Sequence, residues 1–432
     1  MTAFQFPPLK FLIDSSRKYG DIFVFPVGSR RAYFINHPDY IKDVLTTSQS
    51  SFVKEDFLKR TKSFLGHGLL ISEGDFHRRQ RRLVQPALHS ERIAAFGDLM
   101  AERTERACSR WRDGDTLGVF DEMLRLTRSI VSKALFNNDF EEEANDSHKA
   151  VTTLFEIFNL LAFPLSKESE DLPLPQTRSF EEAKAKLDEP IYRLIAERRR
   201  TGEDAGDLLS LLILATDTEG DGERMSDEQL RDEAITIIGA GHETVTNALT
   251  WTWYLLSQHP EVEQKLWREL DLVLADGRAP ATRDLPRLPY TEKVFRESMR
   301  LYPPVWALGR LAIRDCEIGG RRIPKGSIVL MSQYVTHRNA RYFPEPARFL
   351  PERWTEETRE ALPPFAYFPF GGGARRCIGE EFAWMEGILV LASIARSWRL
   401  RLAPNQQVEI QPLLTLRPKR EINMIAQQRF PK

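Results

Sequence analysis

Ten residues near the C-terminal end, FGGGARRCIG from Phe370 to Gly379, restrict this chain more than any other stretch. They set a run of three glycines, then two arginines, one of the chain's three cysteines and a fourth glycine directly ahead of EEFAWMEGILVLASIA, an apolar run with helical character. Glycine-rich turns that run into helices often cradle phosphate, but neither phosphate pattern is met. The G-x-x-x-x-G-K-[ST] loop needs a Gly-Lys-Ser/Thr that is absent. G-x-G-x-x-G fails because Arg376 stands where the third glycine belongs after Gly371 and Gly373. The stretch reads better as a thiolate site. Gly379 puts Cys377 at or just before a helix N-terminus, where the dipole and free backbone N–H groups favour a negative sulfur. Arg375 adds a fixed cation, and the glycines let the backbone approach something large and flat. On this stretch alone, a buried free cysteine beside a turn remains open as the alternative.

Composition sets the outer limits. The chain has 432 residues, 42% hydrophobic and 28% charged, enough apolar surface for a large core. Lys+Arg (61) and Asp+Glu (62) nearly cancel, so no charge excess calls for nucleic acid. Cys108, Cys316 and Cys377 lie far apart and form no C-x-x-C or zinc spacing. That argues against a disulfide framework and fits a reducing cytoplasm. No apolar run approaches the ~18 residues of a membrane span, and the N-terminus lacks a signal-peptide pattern. The expectation is a cytoplasmic monomer with no membrane span.

The patterning is mainly α with a small β portion. DIFVF and RAYFI read as a hairpin turning at Gly28 and Ser29, and CEIGGRRIPKGSIVLMSQYV restores strand signals around Gly319-Gly320. The remainder reads as helical, broken by loops at FPLSKESEDLPLPQTRSF from Phe163 and TDTEGDGERM from Thr216. A helix of about 30 residues is predicted to start at a capping box, Ser226 with Gln229, and to stop near His259-Pro260. Gly239 and Gly241 fall in its middle at a cost of about 1 kcal/mol each against Ala. Close approach of a planar partner would justify that.

Phe370, Gly373, Arg375, Cys377 and Gly379 fill every fixed position of F-x-x-G-x-R-x-C-x-G, and the stretch resembles the haem-ligand loop of the cytochrome P-450 family. Four further stretches agree and occur in the family's order along the chain. AGHETV is similar to the family's [AG]-G-x-[DE]-T-[TS], with Ala240, Glu243 and Thr244 in place and Val245 departing from the usual Thr or Ser. FRESMRLYPP resembles the E-x-x-R helix, with Glu297 and Arg300, and FPEPARFLPERW supplies Arg353 as third member of a structural cluster. EGDFHRRQRR resembles the family's W/H-x-x-x-R helix through His77 and Arg81; its other arginines, Arg78, Arg79 and Arg82, are read as a solvated basic face.

The resemblance implies one P-450 haem domain over residues 1–432, with a small β-rich lobe at about 20–36 and 310–335 and no fused reductase. It implies haem b held by the Cys377 thiolate, which pushes electron density to iron. Phe370, Gly371 and Gly379 would line the haem, and His77, Arg81, Arg310 and Arg375 would hold its propionates. Thr244 would hydrogen-bond dioxygen and Glu243 would relay protons. The implied activity is a monooxygenase that takes O2 and inserts one atom into a lipophilic molecule: a fatty acid, terpenoid or steroid-like compound. Electrons would come from NAD(P)H through a separate ferredoxin or flavodoxin-type donor and its reductase. The pocket would draw on Phe64, Leu69, Phe163, Ile235, Ala240, Val305, Leu308 and Leu414, with Trp306 adding bulk. A peroxide-driven or isomerase-type haem enzyme, or a haem sensor or carrier, stands as the alternative. The Glu243-Thr244 pair has less use in either.

Overall fold

A computed structural model describes residues 9–54, 61–137, 178–220 and 222–430. Helix α1 (Leu9–Tyr19) leads into strands β1 (Ile22–Val27) and β2 (Arg30–Ile35). These pair antiparallel with Val27 opposite Arg30, so only Gly28 and Ser29 turn the hairpin, and Gly28 takes φ 56°. Three more strands complete the sheet: β3 (Phe52–Val53), β5 (Leu308–Ala312) and β8 (Ile328–Met331), in the order β1-β2-β8-β5-β3. The β2–β8 pair is parallel, so the chain's beginning is built onto residues some 300 positions later. A short hairpin, β6 (Cys316–Ile318) with β7 (Arg321–Ile323), turns on Gly319 and Gly320, both at positive φ as a primed turn demands.

The β portion extends beyond the stretches expected from sequence. β4 (Thr116–Gly118), β12 (Asn423–Gln428) and β9 (Trp398–Leu402) form one further sheet, and β10 (Ile410–Pro412) with β11 (Leu416–Pro418) forms a hairpin. These strands run three to six residues, so alternation within any one of them is too short to read, and β4 draws its partner β12 from some 300 positions on. The loop expected from Phe163 lies almost wholly outside the described residues. That expected from Thr216 is a loop, pinned by Arg82, whose Nε and Nη2 donate to the Asp217 carboxylate at 2.9 and 2.8 Å.

The helical body comprises α2 (Gly74–Val84), α3 (Gly97–Cys108), α4 (Val119–Phe136), α5 (Arg178–Thr201), α6 (Asp227–Gln258), α7 (Pro289–Leu301) and α8 (Glu380–Ser397), with shorter helices between. α6 runs 32 residues through the main core. Its N-terminus is satisfied by the expected capping box: Ser226 Oγ accepts from Gln229 N at 3.2 Å, and Gln229 Oε1 accepts from Ser226 N at 2.9 Å. α6 packs along α4, where the Thr127 and Thr246 hydroxyls meet at 2.8 Å. A Cβ on Gly241 would lie 3.3 Å from Val131 of α4. Helix–helix contact is thus one reason for a glycine at that mid-helix position.

Candidate active site

The cysteine loop is held at both ends. Phe368 N–H donates to His337 Nε2 at 3.0 Å, and Cys377 N–H donates to the Phe370 carbonyl at 2.9 Å. Gly373 takes φ 64°, and a Cβ there would stand 1.7 Å from the Leu45 carbonyl oxygen; one on Gly372 would stand 2.2 Å from the Phe365 ring. These two glycines therefore serve close packing of protein on protein, where the sequence suggested a flat partner. Gly371 is the one that faces the pocket candidates, with Leu308 Cδ1 3.5 Å from where its Cβ would be. The Cys377 side chain is open to solvent-sized space, yet burial pushes its thiol up to about 11, against a Gly379 N–H that favours the thiolate. Both hold for a residue that lines an internal cleft. Such a thiol gives up its proton at neutral pH when a metal cation takes the sulfur.

On α6, Ala240 is exposed and Ile237 and Thr244 are half-exposed, while most of the surrounding helix is buried. Their spacing of three and four puts them on one face. Thr244 Oγ donates to the Ala240 carbonyl at 2.8 Å. Glu243 points elsewhere: it is buried, and its Oε1 accepts from Thr415 Oγ at 2.6 Å. Burial brings the nearby Arg128 guanidinium down to about 10, with the charge of Glu243 acting the other way. Val245, the departure from the family pattern, is packed in the main core. A hydroxyl at that position would sit in the apolar core.

A cationic edge adjoins the cysteine loop. Arg375 Nη1 donates to the Ser72 carbonyl at 2.6 Å and its other nitrogen pairs with Glu73. Burial lowers its basicity. Lys54, which the sequence reading missed, donates to the Leu69 and Leu70 carbonyls. Burial, with Arg375 and Arg310 alongside, brings its ammonium down to about 7. His77 is buried; Nδ1 lies 3.2 Å from Ser72 Oγ, and Nε2, beside the Ala374 backbone, has no partner of hydrogen-bond geometry. Burial, Arg375 and Lys54 together bring its imidazole down to about 3. Arg310 Nη1 donates to the Gly309 carbonyl at 2.8 Å. Arg81 lies on the cysteine side, its Nη1 donating to the Arg376 carbonyl at 2.8 Å and its charge facing Cys377. Of the three arginines read as a solvated face, only Arg78 fits. Arg82 and Arg79 both approach the buried Asp217 carboxylate, a partner 135 residues on that no local pattern announces.

The expected Glu–Arg–Arg cluster is assembled. Arg300 Nε and Nη2 donate to the two Glu297 oxygens at 2.8 Å each, and Arg353 Nε donates to Oε1 at 2.9 Å. Two members not foreseen complete it: Trp354 Nε1 donates to Oε2 at 2.9 Å, and Leu350 N–H to Oε1 at 3.1 Å. Arg300 Nη1 also donates to the His337 carbonyl at 2.9 Å, and His337 in turn receives Phe368 N–H. The cluster is thereby joined to the start of the cysteine loop through one residue.

Among the pocket candidates, Val305, Leu308 and Leu414 are half-buried and Leu69 is nearly covered. Phe64 and Ile235 are buried in the main core, and Trp306 in a β-lobe cluster. Ile235 is on the wrong face of α6, two residues from Ile237, which shares the stripe of Ala240 and Thr244. Phe163 lies outside the described residues. The segment from Phe64 to Ser72 is fastened to α6 by carboxylates the sequence reading did not single out. His67 N–H donates to Asp232 at 2.6 Å and Leu69 N–H to Glu233 at 3.1 Å.

With the fold and this geometry in place, the class is defined: the chain belongs to the cytochrome P450 family, whose profile matches residues 2–425. It is an oxidoreductase that incorporates molecular oxygen, with a thiolate-ligated haem as its cofactor. The chain is 38% identical to cyclooctat-9-en-7-ol 5-monooxygenase of Streptomyces melanosporofaciens, over 92% of this chain and 86% of that one. It is 33% identical to pentalenene oxygenase of Streptomyces avermitilis, over 98% and 94%. Among solved structures, the haem domain of cytochrome P450DA superposes with a TM-score of 0.89 at 27% identity, covering 98% of this chain and 94% of that one. Among the described residues no helix is long and apolar enough to cross a membrane.

The residues present fit a haem. An accessible thiol sits in a cleft. A buried imidazole nitrogen makes no hydrogen bond of good geometry, Lys54 and Arg375 act on that ring, and Arg310 acts on Lys54. Such a cation-rich edge suits two propionate carboxylates.

Proposed function

We propose that the protein oxygenates an alicyclic, terpenoid-like hydrocarbon or alcohol, with Cys377 as the haem's thiolate ligand. Two named relatives act on molecules of that kind, and the observation that carries the reading is the open stripe of Ile237, Ala240 and Thr244 on an otherwise buried helix. Half-buried Val305, Leu308 and Leu414 add apolar, uncharged side chains. A rigid apolar substrate gains from such a surface by burial, without needing a counter-charge.

Bound haem supplies reductive activation of dioxygen, fed by electrons from NAD(P)H through a separate ferredoxin or flavodoxin-type donor. His77, Lys54, Arg310 and Arg375 hold the propionates. Arg81, placed beside Cys377, offsets negative charge on the sulfur. Thr244 presents a hydroxyl to the cleft from a fixed rotamer, because its proton is engaged by the Ala240 carbonyl until a better acceptor arrives. Glu243 holds and passes protons from behind that hydroxyl.

An optical titration of the ferric protein tests the substrate class. A low-spin to high-spin Soret shift with cyclic terpenes and terpene alcohols, and none with straight-chain fatty acids, is expected. A shift with fatty acids alone overturns the class. For the mechanism, Thr244→Ala is expected to keep the Soret band and substrate shift while sending most electrons into hydrogen peroxide. Unchanged product per NAD(P)H would remove Thr244 from proton handling.

A further inference from the structure

We propose that Thr415 is a positioning residue for proton supply to the cleft: its hydroxyl holds the Glu243 carboxylate in one orientation, and the β10–β11 turn ties that orientation to the substrate-side wall. The proposal rests on the reading of Glu243 as the proton-handling acid.

The direction of each hydrogen bond follows from chemistry. Asn247 Nδ2 donates to the Glu243 carbonyl at 3.0 Å, which can only accept, so this end of the amide is the nitrogen. The same nitrogen lies 3.2 Å from Thr415 Oγ. A nitrogen of this kind cannot accept, so the threonine oxygen accepts there. Its single proton is left for Glu243 Oε1 at 2.6 Å. All three residues are buried. The carboxylate is thus offered one hydroxyl proton in a fixed direction, with the Arg128 guanidinium as the neighbouring cation.

The turn that carries Thr415 is clamped on both sides. Trp251 Nε1, from α6, donates to the Leu416 carbonyl at 2.8 Å, and Trp306 Nε1 donates to the Leu413 carbonyl at 2.7 Å. Leu416 N–H donates to the Pro304 carbonyl at 2.8 Å. Leu414 adjoins Thr415, and Val305 adjoins both Pro304 and Trp306, so two pocket candidates are built on the framework that aims the carboxylate. A substrate pressing on that wall and a carboxylate waiting behind α6 share one support. Neither Thr415 nor Asn247 is marked by a local motif, and they lie 168 positions apart.

The test compares Thr415→Val, which keeps shape and removes the donor, with Thr415→Ser, which keeps the donor. Both are assayed as haem-loaded enzyme with an electron donor and an oxygenated substrate. Thr415→Val is expected to lower product per NAD(P)H about tenfold, the scale of one hydrogen bond to a charged group, and to enlarge the solvent deuterium effect on turnover. Thr415→Ser is expected to stay within about twofold. Asn247→Leu, which removes the group that orients the hydroxyl, gives a smaller loss and serves if Thr415→Val fails to hold haem. A readout independent of turnover is the double-mutant cycle of Thr415→Val with Glu243→Gln in denaturant midpoint, expected to be non-additive. Normal coupling in Thr415→Val while Glu243→Gln is impaired overturns the proposal alone, as does an additive cycle. Normal coupling in Glu243→Gln overturns the reading of Glu243 beneath it.

Discussion

Two charged regions flank the cysteine loop, and they solve the burial of charge in opposite ways. Around Glu297, the carboxylate receives Arg300, Arg353, Trp354 and a backbone N–H, and the remaining guanidinium nitrogens reach the carbonyls of His337, Pro344, Glu345, Pro346 and Arg348. Charge and hydrogen bonds close on protein groups. Around His77, three cations converge, one ring nitrogen is left over, and burial has pushed Lys54 and His77 toward neutrality. Glu73 already pairs with Arg375 there, and we propose that the haem propionates complete the network. A buried charge cluster that is internally satisfied holds a fold together, while one that carries surplus charge marks a ligand.

The comparison is broken most easily at Glu297. Glu297→Gln leaves two guanidiniums facing a neutral amide in a dry site and is expected to cost about 3–5 kcal/mol, as removal of one partner from a buried ion pair does. Chemical denaturation measures it, and a loss under about 1 kcal/mol would put this cluster in the same class as the cationic edge. Next in size is the joint between the regions. Gly373→Ala sets a methyl against the Leu45 carbonyl at a left-handed φ and is expected to cost about 1–3 kcal/mol and to reduce the thiolate signature of the reduced CO complex. Gly28→Ala shares the left-handed φ, meets nothing within 4 Å and is the matched control. On the open side, Lys54→Gln is expected to leave denaturant stability nearly unchanged while speeding haem transfer to an acceptor protein about tenfold, one charge-assisted contact. Equal effects on stability and haem retention would erase the distinction.

The smallest effect is a pH slope. Burial, with Arg300 and Arg338 nearby, holds the His337 imidazole well below its ordinary 6.5. Below that pH the unfolded chain binds a proton that the native protein refuses, so unfolding becomes easier as the solution is acidified. The contribution is full above pH 6.5 and declines as the pH falls below it. His337→Gln, which keeps an acceptor for Phe368 N–H, is expected to flatten the denaturant midpoint between pH 7 and 5.

What could be read locally was read well where one short stretch carries the whole instruction. The Ser226–Gln229 box, the stop at His259-Pro260, the Gly319-Gly320 turn and the cysteine loop each depend on residues within ten positions of one another. The errors fell where the deciding atom is remote. Gly373 is explained by Leu45, Arg82 by Asp217, and the face of α6 that opens to the cleft by how the helix is seated on α4. Ile235 and Ile237 are chemically alike, and only that seating tells them apart.

By itself the sequence determined the class of protein through its resemblance to a family, because the residues that carry it, Phe370 to Gly379 above all, stand within a few positions of one another. Tertiary structure alone decided which charges pair with which, that Lys54 joins the edge of the site, and that Thr415 meets Glu243 across 172 positions. The reason is physical: desolvation and hydrogen-bond satisfaction are properties of what surrounds a side chain in space, and a linear order of residues holds no record of them until the chain has packed.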